Sequence, residues 1–319
     1  MTIAVISTGG TIASTEDSGG DASPELTGDD LIASVPGLND GTKLATEDFS
    51  NVPSAHFTVE QMYDLAKLVK ELDRTAEIEG VVVTQGTDVL EESAYFVDRC
   101  YDGETPVVFT GAMRTPLMAS PDGPANLLTA VRTAESEGAR DRGTLVAFND
   151  RIHAARHVTK TNSMNLDTFR SPEFGPLAIR DESTIRWQMQ TDRTAAVDLD
   201  PDALTNDVAA LTVTADMHPS QIPDPAACTA VVLAATGAGH VPPKTVDPLD
   251  ALSEADVPVV ATTRCPEGRL AVDTYDFPGS EQTLQELGAY YSDRNLQKAR
   301  IETIVGFASG RLEDVLYHP

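Results

Sequence analysis

The fold is decided by the segment TIAVISTGGTIA, which runs from Thr2 to Ala13. Its first half is apolar and largely β-branched, and a short run of this kind is typical of a strand buried on both faces of a parallel sheet. Gly9 and Gly10 then allow a sharp turn in which the backbone can approach a ligand closely. The segment therefore predicts a buried first strand that ends in a turn carrying the hydroxyl groups of Thr8 and Thr11.

Similar apolar runs recur downstream and alternate with segments of helical periodicity. Met62, Leu65 and Val69 repeat at helical spacing after Thr58 and Gln61, which form a capping-box pair. Alternating buried strands and helices are the pattern of a mostly parallel sheet covered by helices. The predicted strands are 2–7, 80–84, 106–110 and 144–148, and the predicted helices are 58–72, 89–100 and 122–134.

A charge-rich stretch at 190–208 interrupts this pattern, and a second, smaller set of apolar runs follows it. This second set predicts strands at 209–214, 229–235 and 257–262 and a closing helix at 295–305. The sequence thus predicts an α/β fold with a larger amino-terminal domain, whose sheet is mostly parallel, and a smaller carboxy-terminal α/β domain. The predicted boundaries are 1–189 for the first domain, 190–208 for the connection and 209–319 for the second domain.

The charge of the chain is strongly one-sided, with 50 acidic against 23 basic side chains and a formal net charge of −27. Only six of the basic residues are lysines. Such a surface repels nucleic acid and anionic membranes. We expect a halophilic protein, because molar salt shortens the Debye length to about 3 Å and screens the repulsion between carboxylates. An ordinary acidic cytoplasmic protein is the simpler alternative.

Cysteine usage and the amino terminus bear on the compartment. The scattered Cys100, Cys228 and Cys265 fit neither a disulfide framework nor a zinc site, which is usual in a reducing compartment. The amino terminus lacks the basic region of a signal peptide, and no apolar run reaches membrane-spanning length. We therefore expect a cytoplasmic protein without a metal site.

Hydroxyl groups follow two predicted strands, at Thr11 and at Thr87. Ligands bind beyond the carboxyl ends of the strands in open α/β sheets, so neighbouring threonines there suit nucleophilic attack and proton relay. Lys160 is the candidate general base, because it lies in a run without other charges and a desolvated lysine can lose its proton. Each feature also has a structural explanation, namely a simple Gly-Gly turn, a helix N-cap at Asp88 or a salt-bridged lysine.

Six motifs, in order along the chain, resemble those of the bacterial and archaeal L-asparaginase family, of the asparaginase/glutaminase type. The resemblance covers essentially the whole chain and, with the acidic charge, indicates a halophilic archaeal-like member. The motifs are Thr8-Gly9-Gly10-Thr11-Ile12-Ala13, Gly86-Thr87-Asp88, Gly111-Ala112-Met113-Arg114, Asp122-Gly123-Pro124-Ala125-Asn126-Leu127, Val158-Thr159-Lys160-Thr161-Asn162 and Gln297-Lys298-Ala299-Arg300.

The resemblance implies hydrolysis of L-asparagine to L-aspartate and ammonia through a threonine acyl-enzyme, without a metal or organic cofactor. Thr11 would be the nucleophile, and Thr87, Asp88 and Lys160 would form a second catalytic group. The family fold also implies a homodimer or homotetramer whose active sites lie near subunit contacts. The implied substrate contacts are Thr87 and Asp88, with Asp88 at the α-amino group, Ser54 at the α-carboxylate and the Ala112 N–H at the oxyanion.

The sequence departs from the family pattern in three places. The loop 15–25 has no tyrosine near the nucleophile, 55–56 is Ala-His where many relatives have a glutamine, and 237–240 stands where relatives often have an asparagine. The base for Thr11 and the selectivity between asparagine and glutamine are therefore left open. Glu281 is a candidate for a glutamate that a neighbouring subunit lends to the site.

Two other functions compete with this interpretation. A tRNA-dependent amidotransferase subunit shares the amidohydrolase core but carries an additional amino-terminal domain, whereas this chain begins at the first strand of the core. Its negative charge also disfavours docking of tRNA. A catalytically silent α/β protein that binds an amino acid would have no need to combine Thr11, Thr87, Asp88 and Lys160.

Overall fold

A computed structural model describes residues 1–16, 22–24, 27–35, 37–38 and 42–319. The chain divides into two compact units, Met1–Ala196 and Val197–Pro319. This division falls inside the stretch predicted as the interdomain connection, 190–208. Part of the tyrosine-free loop 15–25 lies outside the described residues.

From residue 28 to residue 148 the first unit alternates helices and strands, as predicted, and only strands follow to residue 187. Its strands are β1 (Thr2–Ser7), β2 (Ser14–Glu16), β3 (Ala22–Pro24), β4 (Lys43–Asp48), β5 (Ile78–Thr84), β6 (Val107–Thr110), β7 (Thr144–Phe148), β8 (Arg151–Ala154), β9 (Thr159–Lys160), β10 (Phe169–Arg170), β11 (Ala178–Asp181) and β12 (Thr184–Trp187). Its helices are α1 (Gly28–Ala33), α2 (Val59–Asp73), α3 (Leu90–Cys100) and α4 (Gly123–Ala134). The predicted capping box of α2 is confirmed, since Thr58 and Gln61 exchange both of its hydrogen bonds.

The main sheet has the strand order β12-β11-β8-β7-β6-β5-β1-β4. Neighbours from β4 to β7 are parallel, and those from β7 to β12 are antiparallel. The prediction of a mostly parallel sheet is therefore confirmed, with an antiparallel extension that the sequence did not indicate. The small pairs β2–β3 and β9–β10 lie outside this sheet.

Helices cover the apolar strands of this sheet, as their composition requires. Val81, Val82 and Val83 of β5 have no exposed surface, and side chains alternate between the two faces of a strand. Val82 belongs to a core cluster with Leu127 and Val131 of α4. Helices α2 and α3 pack against β5 and against β6 and β7, respectively.

The strand order reverses at β1, and this reversal positions the site. The chain passes from β1 to β4 on one side and later continues from β5 to β6 on the other side. In an open parallel sheet, such a switch point leaves a crevice at the carboxyl ends of the strands, where ligands bind. The segments 8–11 and 84–88 leave β1 and β5 at this crevice.

The second unit is a smaller parallel α/β unit, which agrees with the predicted fold class. Its sheet has the order β13-β14-β15-β16, with every neighbouring pair parallel. The elements are β13 (Val208–Thr212), β14 (Ala230–Ala235), α5 (Val246–Glu254), β15 (Val259–Thr263), α6 (Glu281–Glu286), β16 (Tyr290–Tyr291), α7 (Leu296–Ser309) and α8 (Leu312–Val315).

Helix α7 continues past residue 305, where the predicted helix 295–305 ends, and Gly306 lies inside it. A Cβ atom on Gly306 would lie 2.7 Å from Cδ1 of Leu312, so this glycine allows close packing of α8. The helix ends at Gly310, whose left-handed φ of 63° makes a typical glycine C-cap. Among the described residues, no helix has both the length and the apolar character needed to cross a membrane.

Candidate active site

The turns that follow β1 and β5 touch each other through two glycines. Gly10 has a φ of +87°, and a Cβ atom there would lie 2.3 Å from both Cα and N of Gly86. Thr11 follows Gly10 and opens a short 3-10 helix, Thr11–Ala13, while Thr87 follows Gly86. Because the two glycine backbones are in contact, both threonines lie at the switch point, as the sequence predicts for hydroxyl groups at neighbouring exits.

Lys160 joins this region from β9. Its Nζ donates a hydrogen bond of 2.8 Å to Oγ1 of Thr87 and lies 3.1 Å from Oδ1 of Asp88. The Lys160 side chain is 18% exposed, whereas that of Asp88 is 62% exposed. The structure thus brings Thr87, Asp88 and Lys160 together, with a shielded amine between a buried hydroxyl and a carboxylate that reaches solvent.

Asp88 does not cap α3, so the alternative explanation of this residue as a helix N-cap is wrong. The N-cap residue of α3 is Val89, which makes no side-chain capping bond. Oγ of Ser54 instead accepts the backbone N–H groups of Asp88 at 3.1 Å and Val89 at 3.2 Å. The Asp88 carboxylate therefore makes no capping bond and forms an ion pair with Lys160.

Ser54, the predicted α-carboxylate contact, shapes the turn at the start of α3. Its side chain is buried, and its hydroxyl also donates to the carbonyl of Gly86. A Cβ atom on Gly86 would lie 2.6 Å from Cβ of Ser54, so the two residues are tightly packed. The structure thus places Ser54 beneath the turn that carries Thr87 and Asp88.

Ala112, the predicted oxyanion contact, lies in a loop held by Asp122. The carboxylate of Asp122 accepts the backbone N–H groups of Met113 at 3.0 Å and Arg114 at 2.9 Å, the two residues after Ala112. Ala112 is buried and packs near Gly123, which also neighbours Ile12 in the turn of the predicted nucleophile. The loop is therefore fixed beside the first turn.

A further carboxylate, Glu91, was missed by the sequence analysis. It lies in the first turn of α3 with 3% of its surface exposed, and Oε2 accepts the backbone N–H of Lys160 at 2.6 Å. Its signal in the sequence is weak, because an acid in a first helical turn is common there for its interaction with the helix dipole. Across the described residues, no three His, Cys, Asp or Glu side chains are grouped in a way that could hold a metal ion.

Glu281, the candidate contribution from a neighbouring subunit, lies in the second unit. It is fully buried, and Oε1 accepts the backbone N–H groups of Thr274 and Tyr275. Its Oε2 lies 3.6 Å from Nδ1 of His240. Glu281 thus lies beside His240, which belongs to segment 237–240, one of the three places where the sequence departs from the family pattern.

Two family models match the chain. The family model described as "Asparaginase, N-terminal" matches residues 2–193. The model described as "Glutaminase/Asparaginase C-terminal domain" matches residues 207–315. The two matches together span nearly the whole chain, and the gap between them, 194–206, lies inside the predicted connection.

Curated relatives and a solved structure agree with these matches. L-asparaginase of Bacillus licheniformis is 32% identical over 96% of this chain and 95% of its own length. L-asparaginase 2 of Bacillus subtilis is 41% identical over 54% of this chain, and the match spans about half of that protein, 47%. The crystal structure of a probable cytoplasmic L-asparaginase from Campylobacter jejuni superposes with a TM-score of 0.84, at 30% identity over 98% of both chains. Since family models, relatives and fold coincide along the chain, the protein belongs to the asparaginase family.

Proposed function

We propose that this protein is an L-asparaginase, which hydrolyses L-asparagine to L-aspartate and ammonia. The observation that carries the proposal is the bonding of Lys160 to both Thr87 and Asp88, next to the turn that presents Thr11. Family membership supports an amidohydrolase, and the named relatives are L-asparaginases. They favour this function over an amidotransferase subunit or a silent binding protein.

The first step is attack by Thr11 on the side-chain amide of the substrate. The hydroxyl oxygen forms a bond to the amide carbon, and the resulting oxyanion is stabilised by backbone N–H groups, among them that of Ala112. The C–N bond then breaks, and ammonia leaves with the proton that the hydroxyl has lost. The product is a β-aspartyl ester on Thr11.

The second step is hydrolysis of this ester by water. Water adds to the ester carbon, its proton passes to the oxygen of Thr11, and L-aspartate is released. Thr87 and Lys160 suit this proton transfer, because a hydroxyl hydrogen-bonded to an amine can pass a proton along the pair. Asp88 orients Lys160 and, in the resemblance, also binds the α-amino group.

The base for Thr11 is proposed to involve the same group of residues. The loop 15–25 contains no tyrosine, so we assign the relay to a water held by Thr87, Lys160 and Asp88. The alternative is a residue from a partner subunit. In the resemblance, Ser54 contributes at the α-carboxylate, and its position under the turn carrying Asp88 agrees with a role in shaping that end of the site.

We also propose a cytoplasmic, halophilic homo-oligomer, either a dimer or a tetramer. The net charge of −27 and the scarcity of lysine support the salt requirement. The Campylobacter jejuni relative, described as a probable cytoplasmic enzyme, supports the compartment. Glu281 does not support assembly, because its side chain is fully buried and its carboxylate binds backbone N–H groups of its own chain.

The proposed function is tested by ammonia release from L-asparagine in high KCl, with L-glutamine measured beside it. A purified, folded protein that releases no ammonia from L-asparagine would refute it. The nucleophile is tested separately with a reactive asparagine analogue that traps acylating groups. We expect a covalent adduct on Thr11 by peptide mass spectrometry, and loss of both adduct and activity in Thr11→Ala. Labelling of Thr87 with Thr11 untouched would make Thr11 a positioning residue.

A further inference from the structure

Lys160 is carried by a short element outside the main sheet, although Phe169 in the partner strand stacks on Phe148 of β7. Strand β9 has two residues and pairs with the two residues of β10, outside the main sheet. Thr87 and Asp88, in contrast, lie at the end of a central strand of that sheet. The amine must therefore be held at 2.8 Å from Thr87 by a short hairpin and a flexible side chain of four methylene groups.

The carboxylate of Glu91 connects these two parts of the site. Its Oε2 accepts the backbone N–H of Lys160 at 2.6 Å, which fixes the hairpin to the first turn of α3. That turn follows Thr87 and Asp88 directly in the chain. The same helix start thus sets the position of the hydroxyl, of the carboxylate and of the lysine backbone.

The burial of Glu91 indicates that this contact is specific. A buried carboxylate is costly unless it is hydrogen-bonded, so the buried Glu91 needs a partner such as the Lys160 N–H. Glu91 is 3% exposed, although its neighbour Glu92 is more accessible and lies in the same helical turn. Helix dipole alone accounts for an acid in this turn, but it does not require one that is buried against the Lys160 backbone.

We propose that Glu91 is a positioning residue for Lys160, which acts through the backbone of the lysine and not through contact with substrate. This proposal rests on the function proposed above. A displacement of about 1 Å at a catalytic group can cost about 100-fold in rate. Changes that withdraw the acceptor from the Lys160 N–H should therefore lower kcat and leave KM nearly unchanged.

The test compares three substitutions at Glu91 with a matched control in L-asparagine hydrolysis. Glu91→Gln keeps an acceptor oxygen at the same reach and should retain most of kcat. Glu91→Asp keeps the charge but is one methylene shorter, and Glu91→Leu removes the acceptor, so both should lose about 10- to 100-fold in kcat. Glu92→Gln removes a neighbouring charge from the same turn and should have little effect.

Melting temperatures show whether Glu91→Leu folds poorly. If it does, Glu91→Asp still tests the proposal, because it should show the same loss of kcat. Wild-type kcat in Glu91→Asp would overturn the positioning role. An active Glu91→Asp with an inactive Glu91→Gln would also overturn it, since charge would then matter more than the reach of the acceptor. A wild-type protein without activity on L-asparagine would instead refute the proposed function.

Discussion

The contact between Gly10 and Gly86 leaves no room for one added atom. We predict that Gly10→Ala nearly abolishes turnover in a protein that still folds. The new Cβ would lie 2.3 Å from Cα and N of Gly86, where ordinary van der Waals contact begins at 3.4 Å. Because both neighbouring atoms belong to the backbone, the turns that carry Thr11 and Thr87 must separate by about 1 Å.

Gly10→Ala should lower both the stability of the protein and its kcat, and the two losses have different causes. The φ of +87° at Gly10 lies outside the range that L-residues usually adopt, and this strain costs about 1–2 kcal/mol of stability. The separation of the turns acts on catalysis, where a misplacement of about 1 Å costs about 100-fold in rate. We therefore expect a modest loss of melting temperature together with a loss of about 100-fold in kcat.

Gly175→Ala is the matched control for the backbone strain. Gly175 also has a positive φ, +71°, but an added Cβ atom would meet no described heavy atom within 4 Å. Gly10→Ala should lose more stability in thermal melts than Gly175→Ala, because overpacking adds to the backbone strain, and Gly175→Ala should keep its kcat in the ammonia assay. Full activity in Gly10→Ala would refute the packing argument, as would an equal loss of activity in the two variants.

Three further predictions concern charge. Lys160→Met should lower kcat by about 10²- to 10⁴-fold with little change in KM, because the proposed role of the amine is proton transfer and not substrate binding. An unchanged kcat in steady-state assays would remove Lys160 from the mechanism. Burial raises the pKa of the Asp98 carboxyl, against opposing contributions from the Thr144 N–H and Arg156. The stability that this group contributes is therefore present at low pH and lost as pH rises through its folded-state pKa. The melting temperature of the wild type minus that of Asp98→Asn should therefore fall between acid and neutral pH. A difference that does not change with pH would contradict this prediction. Finally, melting temperature should rise between low and molar KCl because salt screens the net charge of −27, and equal values would argue against a halophilic protein.

The central strands were predictable because buried strands of a parallel sheet are apolar along their whole length. Residues 2–7 and 144–148 were predicted with the bounds that the structure has. Strand β4 was missed, since its sequence KLATED carries three charges and lies at the exposed edge of the sheet. Its strand conformation comes from pairing with β1, a partner more than 35 residues away that local pattern cannot reveal.

Thr87, Asp88 and Lys160 were named from the sequence and the structure brings them together, but the sequence did not show how the contacts are divided among the acids. Asp88, Glu91 and Asp122 are similar residues near glycine-rich motifs, and only the family resemblance, not their local pattern, singles out Asp88. The structure separates them by what they bind. The Asp88 side chain is 62% exposed and meets the lysine amine, whereas Glu91 and Asp122 bind backbone N–H groups of Lys160 and of the loop after Ala112.

This separation has a physical origin. A carboxylate that binds backbone N–H groups fixes a loop, whereas one that reaches solvent remains available to a ligand. The partner of Glu91 lies 69 residues away, so this choice is made by tertiary packing and not by local sequence. The same reasoning applies to Ser54, whose hydroxyl accepts N–H groups 34 and 35 residues away at the start of α3. Residue types at strand ends thus indicate which chemistry is possible, and the backbone groups that each side chain binds determine which residues can take part in it.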